Sequence, residues 1–595
     1  MKGVGSLLLA RSMDSSAKIL ALVLVVVAVV HAPQLRCSYA YDDVEAILEH
    51  PDLRSWDGAG ALLLTNYWGS RNIGLYRPLV QLSYLVDGAG FGFDPRASHS
   101  IQMLLHLAVV GLLFIFLRRL GVGAGGAAAS ALLFGVNPAM LGASVWISGR
   151  TDVLSALFVL LGLISALSAR ARGEGLWGMR TIGLGICFLL GLMSKEMAVT
   201  LPLLVLLLPG RGHWRRFPML GIAFGLYLVL RVSAVDGVLP SFAGDGAGVV
   251  FAEQGIGTRF AMGCRACFRL LALVVVPVGV AADHRAHAWA LGDAPGGLTA
   301  VLALALYAAM LWGAWRLLSR GRRIDGFLLG GLAVSLLPIL QIIPIGAVMA
   351  ERFNYTPSLL LTPLLVRAVA SASRRSMPQL AALAFLVAVV MGAFVTTRRI
   401  SVYTDRGSYC EDVIRAYPED HKAWNNLGVY HYLPDPHVDR HEPDFEAADR
   451  AFARAVELHP GYARGRLNRA RALLERQRLL DEDVDLRPIE EWLALGIRRE
   501  HPDALNLAAR ADLRIGRRRR PGPTRTARLE RAYERFVLAA KRFETRDREA
   551  GAWKEAGIAA KEHGKVSEMK GAYRRALELR PDIQGAAAMR RAIDE

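Results

Sequence analysis

Two adjacent carboxylates lie just beyond the first apolar segment of this sequence. The segment reads ILALVLVVVAVV, and after a short polar interval the chain continues AYDDVEAI, which contains Asp42 and Asp43. An ionised side chain at the edge of hydrocarbon costs about 3 kcal/mol unless it is paired or hydrated. Residues of this type therefore indicate either proton transfer or the binding of a cation.

More ionisable residues recur in short motifs at the ends of later apolar segments. The motifs are LYRPL, SHSIQMLLH, SGRTDVL, MSKEM and AERFNYTPS, and their residues are Arg77, His99, His106, Arg150, Asp152, Lys195, Glu196, Glu351 and Arg352. Each one alone has a structural alternative, such as a core histidine or a pair of opposite charges at a helix end. Together they suit group transfer from a phosphate, because a carboxylate accepts a hydroxyl proton while cations stabilise the departing anion. A proton-coupled transporter would place such residues in internally repeated halves, and we find no such repeat.

The composition is that of a membrane protein. Of the 595 residues, 53% are hydrophobic, and the mean hydropathy is +0.30, which is too apolar for an ordinary water-soluble enzyme. The net charge of +18 arises equally well from basic residues that flank membrane spans, so we predict a lipid bilayer and no nucleic acid as partner. Cys264 and Cys267 lack the second ligand pair of a zinc site, and we predict no metal and no cofactor.

Apolar runs occupy most of the first 397 residues. Besides 19–33, they cover 99–117, 124–146, 152–169, 177–193, 197–209, 217–235, 263–282, 298–318, 326–347, 355–371 and 378–397. Most approach the ~20 residues that cross a bilayer as a helix. Basic clusters between them should be cytoplasmic, and both RGHWRR and SRGRR satisfy this only if one of the three runs between them does not cross. The run 263–282 is interrupted by Arg265, Arg269 and Pro277, so we predict a re-entrant or interfacial helix there and about eleven spans in total.

This topology gathers the ionisable motifs on one side of the membrane. The loop 36–98, the turns at Arg150, Lys195 and Glu351, and everything after Thr397 are predicted to be non-cytoplasmic. The host membrane is either a bacterial inner membrane or that of the endoplasmic reticulum.

From Arg398 the sequence becomes charged and alanine-rich, which predicts a water-exposed helical domain over residues 398–595. Two stretches of it have the spacing of tetratricopeptide repeats. One supplies Trp424, Leu427, Gly428, Ala448, Phe452, Ala455 and Pro460, and the other Trp553, Ala556, Gly557, Gly564, Tyr573, Ala576 and Pro581. Small residues let paired helices approach while aromatic rings fill the gaps, and such arrays bind a polypeptide acceptor or protein partner in a groove.

The order of these motifs is similar to that of one known family. YDDVEAI, NYWGS with LYRPL, SHSIQMLLH, LLFGVNPAMLGASVWISGRTDVL, SKE and AERFNYTPS precede the repeats in collinear order along nearly the whole chain. The chain thereby resembles the transmembrane O-mannosyltransferases with tetratricopeptide repeats, which are members of the GT-C superfamily of glycosyltransferases. The resemblance implies an all-α fold, with a polytopic membrane helix bundle of GT-C type over residues 1–397 and a soluble α-solenoid over 398–595.

The resemblance also implies a reaction. A sugar, mannose, would move from a polyprenyl-phosphate donor to a protein hydroxyl on the non-cytoplasmic face, with inversion and without a metal. The acid pair falls on Asp42 and Asp43, and we predict Asp43 as the base, with Asp42 orienting the donor or pairing with an arginine. The positions that would hold the lipid phosphate and its sugar are Arg77, His99, His106, Arg150, Asp152, Lys195, Glu196, Glu351 and Arg352.

Four positions depart from the family pattern. The family's NDFWG is TNYWG here, with Asn66 in place of an acid, and its HPxHxE segment is NPAMLG, with Asn137, Met140 and Gly142 in place of two histidines and a glutamate. These departures fit either a divergent enzyme or a membrane-anchored repeat scaffold that has lost catalysis. Because the DD, YRPL, GRxD, SKE and AERF motifs remain, we favour the enzyme, and turnover of the donor distinguishes the two.

Overall fold

The computed structural model divides the chain into two compact units, Met1–Pro418 and Glu419–Glu595. The structure describes residues 2–68, 74–235, 255–284, 298–343, 345, 347, 349–373, 378–433, 442–480, 485–518, 520–543 and 545–595. These residues form helices joined by turns, and their one extended pairing is an isolated bridge between His284 and Met349. The predicted all-α fold class is therefore confirmed.

The first unit is a bundle of apolar helices. Its longer α-helices are Lys2–His31, Pro78–Leu85, Pro95–Arg119, Ala124–Gly135, Arg150–Ala171, Met179–Leu192, Leu201–Leu207, Phe217–Ala234, Ile256–Val275, Leu298–Ser319, Arg323–Leu336, Tyr355–Ser373, Pro378–Arg399 and Arg406–Ala416. Short 3-10 or π turns occur next to the ionisable motifs, among them Val44–Leu48, Ile147–Gly149, Glu196–Thr200 and Glu351–Asn354. These charged motifs therefore lie at breaks between regular helices, where a charge costs less than in the middle of a span.

Six helices of the described residues are long and apolar enough to cross a membrane: Ser15–Arg36, Pro95–Arg119, Ile147–Ala171, His213–Ala234, Val301–Ser319 and Pro378–Tyr403. A pair bent by 61°, Ala124–Gly135 with Pro138–Ser144, makes a seventh if it is one span. The chain is accordingly an integral membrane protein. The sequence predicted about eleven spans because every apolar run except 263–282 was counted as a crossing. In the structure some runs form shorter helices, such as Met179–Leu192 and Leu201–Leu207. The re-entrant or interfacial placement of Ile256–Val275 stays a prediction.

The break in the bent pair is stabilised by two histidines. Pro138 has no backbone N–H, so the helix that ends at Gly135 cannot continue through it and leaves carbonyl groups without helical partners. The Gly135 carbonyl lies 3.0 Å from His31 Nε2 and 3.2 Å from His106 Nε2. His106 Nδ1 lies 2.7 Å from the Tyr355 hydroxyl. His106, a predicted donor contact, thus satisfies a buried carbonyl in the helix bundle.

The first unit extends past the last apolar helix. The composition changes at Arg398, but the helix Arg406–Ala416 packs back on the first unit. Its Asp412 accepts hydrogen bonds from Arg399 Nη2 at 3.0 Å and from the backbone N–H of Ala282 at 2.9 Å. A charged helix therefore belongs with the apolar bundle, because its carboxylate is used within it.

The second unit is an α-solenoid in which each helix packs on its neighbours in sequence. The helices are His421–Tyr432, Phe445–Leu458, Ala463–Leu480, Pro488–Arg498, Pro502–Arg518, Pro523–Arg542, Arg546–His563, Val566–Leu579 and Ala586–Asp594. A Cβ atom on Gly428 would come within 2.6 Å of the Phe452 ring, and one on Gly557 within 2.3 Å of the Tyr573 ring. The small and aromatic positions of the repeat pattern thus meet face to face, as the sequence predicted.

We predict opposite effects for the same substitution at two glycines of the last repeat. Gly557→Ala inserts a methyl group into the Tyr573 ring and should destabilise the unit by about 1–3 kcal/mol. Gly571→Ala is the matched control, because a Cβ there meets nothing within 4 Å, and alanine in a helix should stabilise by up to about 1 kcal/mol. The measurement is the thermal unfolding midpoint of the repeat unit in the full-length chain, at about 2–4 °C per kcal/mol. Equal shifts at both sites would contradict the repeat packing.

Candidate functional site

The two aspartates after the first span differ in their surroundings. Asp43 is only 1% exposed. Its Oδ2 accepts a hydrogen bond from the Ala40 N–H at 2.9 Å, and its Oδ1 accepts from the N–H of Ser148 at 2.8 Å and from the Ser148 hydroxyl. Burial raises the pKa of Asp43 to about 7. The hydrogen bonds from Ser148 and Ala40 oppose this shift, and the negative charge of Asp42 adds to it. Asp42 is half-buried, so the two neighbouring carboxylates have different access to a substrate.

The residue before the pair has a strained backbone. Tyr41 adopts φ +51°, in the left-handed region that bulky residues rarely enter and that costs about 1–3 kcal/mol. Its ring stacks on Tyr409, with centroids 5.0 Å apart and planes within 9°. Trp146 lies 6.2 Å from Tyr41 and donates its indole N–H to the carbonyl of Ala40 at 3.0 Å. Packed aromatic rings therefore fix the backbone that presents Asp42.

Arg352 is the cation nearest to these aromatic rings. Its guanidinium carbon lies 5.0 Å from the Trp146 ring centroid and 5.6 Å from that of Phe353. Among the described residues no carboxylate lies within 4.0 Å of it. A Cβ on Gly142 would come within 3.7 Å of the Arg352 Cβ, so the glycine that replaces the family's glutamate lies beside this arginine. Arg352 therefore forms no ion pair with a carboxylate of the described residues.

Lys195 forms the second cationic position. Its Nζ lies 2.6 Å from both carboxylate oxygens of Asp152, and 5.1 Å from the centroid of the Phe353 ring that also borders Arg352. Burial lowers the pKa of Lys195 to about 8, the Asp152 carboxylate opposes this, and the charges of Arg77 and Arg352 add to it. The two arginines and the lysine are therefore close enough to act on one another.

Arg77 supplies the third cation. Its Nη2 lies 2.8 Å from Glu196 Oε2, while its buried Nε has no hydrogen-bond partner among the described residues. The guanidinium lies 5.4 Å from the Tyr67 ring centroid, and the Tyr67 hydroxyl is in electrostatic range of Asp42 and Asp43. The structure thus brings together seven predicted residues: Asp42, Asp43, Arg77, Asp152, Lys195, Glu196 and Arg352.

Arg150 lies apart from this set. It is 0% exposed, and its Nη2 lies 2.8 Å from Asp87 Oδ2, which is equally buried. The same guanidinium contacts the Ser83 and Ser98 carbonyls, the Gln102 side chain and the Tyr84 ring. All of these contacts are protein groups, so the geometry gives Arg150 a role in packing.

His99 and Glu351 also bind protein groups. His99 Nε2 lies 3.1 Å from the Ser38 carbonyl. Glu351 Oε1 accepts a hydrogen bond from the Ala281 N–H at 2.7 Å and lies 2.9 Å from His284 Nε2. Burial raises the pKa of Glu351, and His284 opposes the shift. Both residues therefore hold backbone segments around the site, and Glu351 does so directly beside Arg352.

At the other positions that depart from the family pattern, the side chains contact nearby protein groups. Asn66 Oδ1 accepts a hydrogen bond from the Trp68 N–H at 3.0 Å. Asn137 donates its side-chain amide to the Val274 carbonyl at 2.8 Å, and Met140 is buried at 1% exposure. Gly69 and Ser70, the end of the NYWGS motif, lie outside the described residues. The substituted side chains thus serve the local fold, whereas Gly142 changes the charge of the site.

Several functional groups escaped the sequence-based prediction. They are Ser148, which binds Asp43, Asp87, which pairs with Arg150, and the aromatic residues Tyr41, Trp146 and Tyr409. Ser148 carried a weak signal, since it stands two residues before Arg150 in a motif already selected. Tyr409 carried none, because it follows the last apolar run in a segment predicted to be part of the repeat domain.

Comparison with known proteins gives a consistent set of relatives. No protein-family model matches the chain. It is 24% identical to mouse protein O-mannosyl-transferase TMTC3 over 492 residues, which covers 75% of this chain and 52% of that protein. It is 30% identical to Drosophila melanogaster protein O-mannosyl-transferase Tmtc1 over 181 residues (30% and 21%) and 32% identical to human protein O-mannosyl-transferase TMTC2 over 174 residues (28% and 21%).

The chain spans about half the length, or less, of the relatives it matches. The broadest match nevertheless covers three quarters of this sequence, and the membrane helices and repeats have the order that the motifs predicted. The chain is therefore a divergent relative of the TMTC protein O-mannosyl-transferases.

Proposed function

We propose that this chain is a membrane glycosyltransferase of GT-C type that transfers mannose from a polyprenyl phosphate to a hydroxyl group of a polypeptide. The names of its relatives support the sugar and the protein acceptor. The cations of the candidate site support an anionic donor. The transfer takes place on the non-cytoplasmic face in this proposal, because the basic clusters of the sequence lie on the other side of the predicted topology.

One observation carries the proposal: the same tryptophan contacts the backbone before an acid and the side chain of an arginine that forms no ion pair among the described residues. Trp146 donates a hydrogen bond to the Ala40 carbonyl, two residues before Asp42, and its ring lies under Arg352. A carboxylate that can accept a hydroxyl proton and a cation that can hold a departing phosphate are thus fixed relative to each other. That pairing is what transfer from a lipid phosphate requires.

In the proposed reaction the acceptor oxygen attacks the anomeric carbon of the donor. The hydroxyl proton passes to the carboxylate, the bond from carbon to phosphate oxygen breaks, and the lipid phosphate leaves with the electron pair. Arg352 offers its whole guanidinium to this phosphate, and Arg77 offers its unpartnered Nε. Lys195 adds a third positive charge beside the phosphate, although Asp152 neutralises part of it.

The geometry favours Asp42 as the base. A base must reach the acceptor hydroxyl at hydrogen-bond distance, and both oxygens of Asp43 are already occupied by three donors in a buried position. Asp42 is the more exposed of the two. We therefore assign proton acceptance to Asp42 and treat Asp43 as a positioning residue, which reverses the roles expected from sequence.

The helix Arg406–Ala416 supports both sides of this site. Tyr409 stacks on Tyr41 next to Asp42, and its hydroxyl donates to the Ala282 carbonyl at 3.2 Å. His284, two residues further on, bonds Glu351, the neighbour of Arg352. We therefore assign Tyr409 a positioning role in the reaction, acting through its ring on the backbone before Asp42.

The repeat unit is proposed to hold the polypeptide acceptor. Stacked helix pairs of this kind present grooves that bind extended chains, and the predicted topology puts the unit on the same side as the site. The donor chemistry would then belong to the first unit and the choice of acceptor to the second.

We predict different outcomes for the two aspartates. Asp42→Asn should lower mannose transfer at least about a hundredfold, because it keeps the shape but removes the base. Asp43→Asn places an amide where Ser148 and Ala40 need acceptors, so it should also cost about 1–3 kcal/mol of stability. Transfer from polyprenyl-phosphate mannose to a serine-containing peptide and the unfolding midpoint in detergent are the measurements.

Ser148→Ala is the matched control for Asp43. It removes a donor to Asp43 without touching Asp42, so it should reproduce the loss of stability with a smaller loss of transfer. Abolished transfer by Asp43→Asn at an unchanged midpoint would make Asp43 the base, as the sequence predicted. Normal transfer by both asparagine variants would instead favour the scaffold without catalysis.

For Tyr409 we predict that the ring matters more than the hydroxyl. Tyr409→Phe keeps the stack on Tyr41 and should retain most of kcat. Tyr409→Ala releases the strained backbone and should lower kcat about tenfold to a hundredfold, since small displacements of a reacting group have effects of this size. The KM for the donor should change little, because the cations are untouched. A similar loss in both variants, or a loss confined to KM, would contradict the positioning role.

Two truncations distinguish the contributions of the units. A chain ending at Pro418 keeps the helix Arg406–Ala416 and should still release mannose slowly from the donor to water, while transfer to peptide falls. A chain ending at Thr397 lacks Tyr409 and Asp412 and should lose both activities. Donor hydrolysis and peptide transfer are measured on the same preparations. Retained hydrolysis in the shorter chain would show that the helix does not support the site.

A further inference from the structure

A second group of basic residues lies at the far end of the helix that begins with Arg150. It lies where the helix Arg150–Ala171 ends and where the helices Met179–Leu192 and Phe217–Ala234 begin. Its members, here called the arginine patch, are Arg170, Arg172, Arg180, Arg211, Arg215 and Arg216. None of them takes part in the candidate active site.

The turn between residues 208 and 217 brings the members of the patch together. Arg170 donates from Nε to the Arg211 carbonyl at 3.4 Å, and Arg216 donates from Nη1 to the Gly212 carbonyl at 3.4 Å. Arg216 is also in electrostatic range of the Glu174 carboxylate and of the cations Arg170 and Arg215. The guanidinium groups thus come from separate segments of the chain but face one region.

The patch is poor in negative charge. Glu174, its one acidic neighbour in the segment, accepts hydrogen bonds from the backbone N–H of Arg180 at 2.8 Å and from the Arg180 side chain. Glu174 therefore caps the N-terminus of a helix and pairs with Arg180, and it also acts electrostatically on Arg172 and Arg216. Among the described residues, no carboxylate lies within 4.0 Å of any of the other five arginines. Arg216 is only 5% exposed, and its buried Nε has no hydrogen-bond partner within that set.

Other basic residues at a membrane edge are compensated differently. In the segment SRGRR, Arg322 pairs with Asp325 at 2.9 Å, and Arg367 pairs with the same carboxylate at 2.6 Å. The arginine patch instead places six arginines around the single carboxylate of Glu174, so most of its positive charge has no counter-charge among the described residues. Because clustered cations repel one another, an anion from outside the protein stabilises such a patch.

Exposed apolar side chains surround the patch. Trp177 is 73% exposed, Met179 81% and Trp214 64%. The Trp214 ring lies 5.9 Å from the guanidinium carbon of Arg215. Tryptophan is enriched where a protein crosses the interface between lipid headgroups and hydrocarbon. The arginines thus have exposed apolar side chains beside them, which suit the acyl chains of a lipid.

We propose that the arginine patch binds the phosphate headgroup of an anionic phospholipid. Guanidinium groups match phosphate oxygens in paired hydrogen bonds, and anionic lipids gather basic residues at the membrane surface. The apolar rim selects a lipid over a free phosphate ion, which needs no such surface. The site lies on the side of the membrane that the basic clusters predict to be cytoplasmic, and it is independent of the proposed transferase reaction.

The test is lipid binding to the full-length chain in detergent, measured by native mass spectrometry with phosphatidylglycerol and phosphatidylcholine as probes. The wild-type chain should retain phosphatidylglycerol preferentially. Arg211→Gln/Arg215→Gln changes two exposed side chains and should weaken this binding about 25-fold, at about fivefold per arginine. Its unfolding midpoint should match the wild type, because neither side chain is buried.

Arg320→Gln/Arg323→Gln is the matched control, since it removes the same charge from exposed residues of the SRGRR segment. It should leave phosphatidylglycerol binding within about twofold of the wild type. Equal retention of the two lipids, or equal loss in both double variants, would overturn the site. Full displacement of phosphatidylglycerol by inorganic phosphate would also overturn it, because the ligand would then be a free anion.

Discussion

The first unit is organised around one ion pair that has no access to water. Arg150 and Asp87 lie 2.8 Å apart with both side chains 0% exposed. Removing two charges from water costs several kcal/mol each, and their attraction repays this only when the remaining hydrogen-bonding groups also have partners. Among the described residues Asp87 has only its ion pair with Arg150, whereas Arg150 has such partners in Ser83, Ser98 and Gln102. Because these residues belong to the helices Pro78–Leu85 and Pro95–Arg119, one guanidinium fixes three helices at the point where the site begins.

A column of rings connects this buried pair to the open cations. The Arg150 guanidinium lies 5.1 Å from the Tyr84 ring centroid, the Tyr84 and Tyr67 hydroxyls are 3.3 Å apart, and Arg77 lies 5.4 Å from the Tyr67 ring centroid. Aromatic faces attract cations without neutralising them. Arg77 can therefore be held in position while its Nε stays available for a ligand. The packed core thus holds Arg77 in position and leaves part of its charge available to a ligand.

The structure brings most of the motifs selected from the sequence together, but the sequence did not show which of their residues would bind other protein groups. Charges at the ends of spans must be paired or used, so YRPL, GRxD, SKE and AERF could be selected without a structure. Whether a given arginine is packed or open depends on a distant partner, and Asp87 gives no sign in LVDGAG that it meets Arg150. The predicted eleven spans exceed the six or seven candidate spans of the described residues for a related reason, since hydropathy does not show where an apolar run breaks into shorter helices. The repeats were easier, because Gly557 and Tyr573 meet within one helix pair at a fixed spacing.

The glycine at position 142 bears on whether the site is catalytically active. If the site had only to be stable, a carboxylate beside Arg352 would be favourable, because it would neutralise a cation at a partly buried position. The chain has a glycine there, and Trp146 and Phe353 offer only ring faces. The missing glutamate therefore leaves the site more positive. An unpaired cation lowers the stability of the empty protein, and an anionic ligand recovers that free energy on binding. Under the proposed reaction, a substitution that resembles the loss of a catalytic group thus increases the affinity of the site for the proposed phosphate-bearing donor.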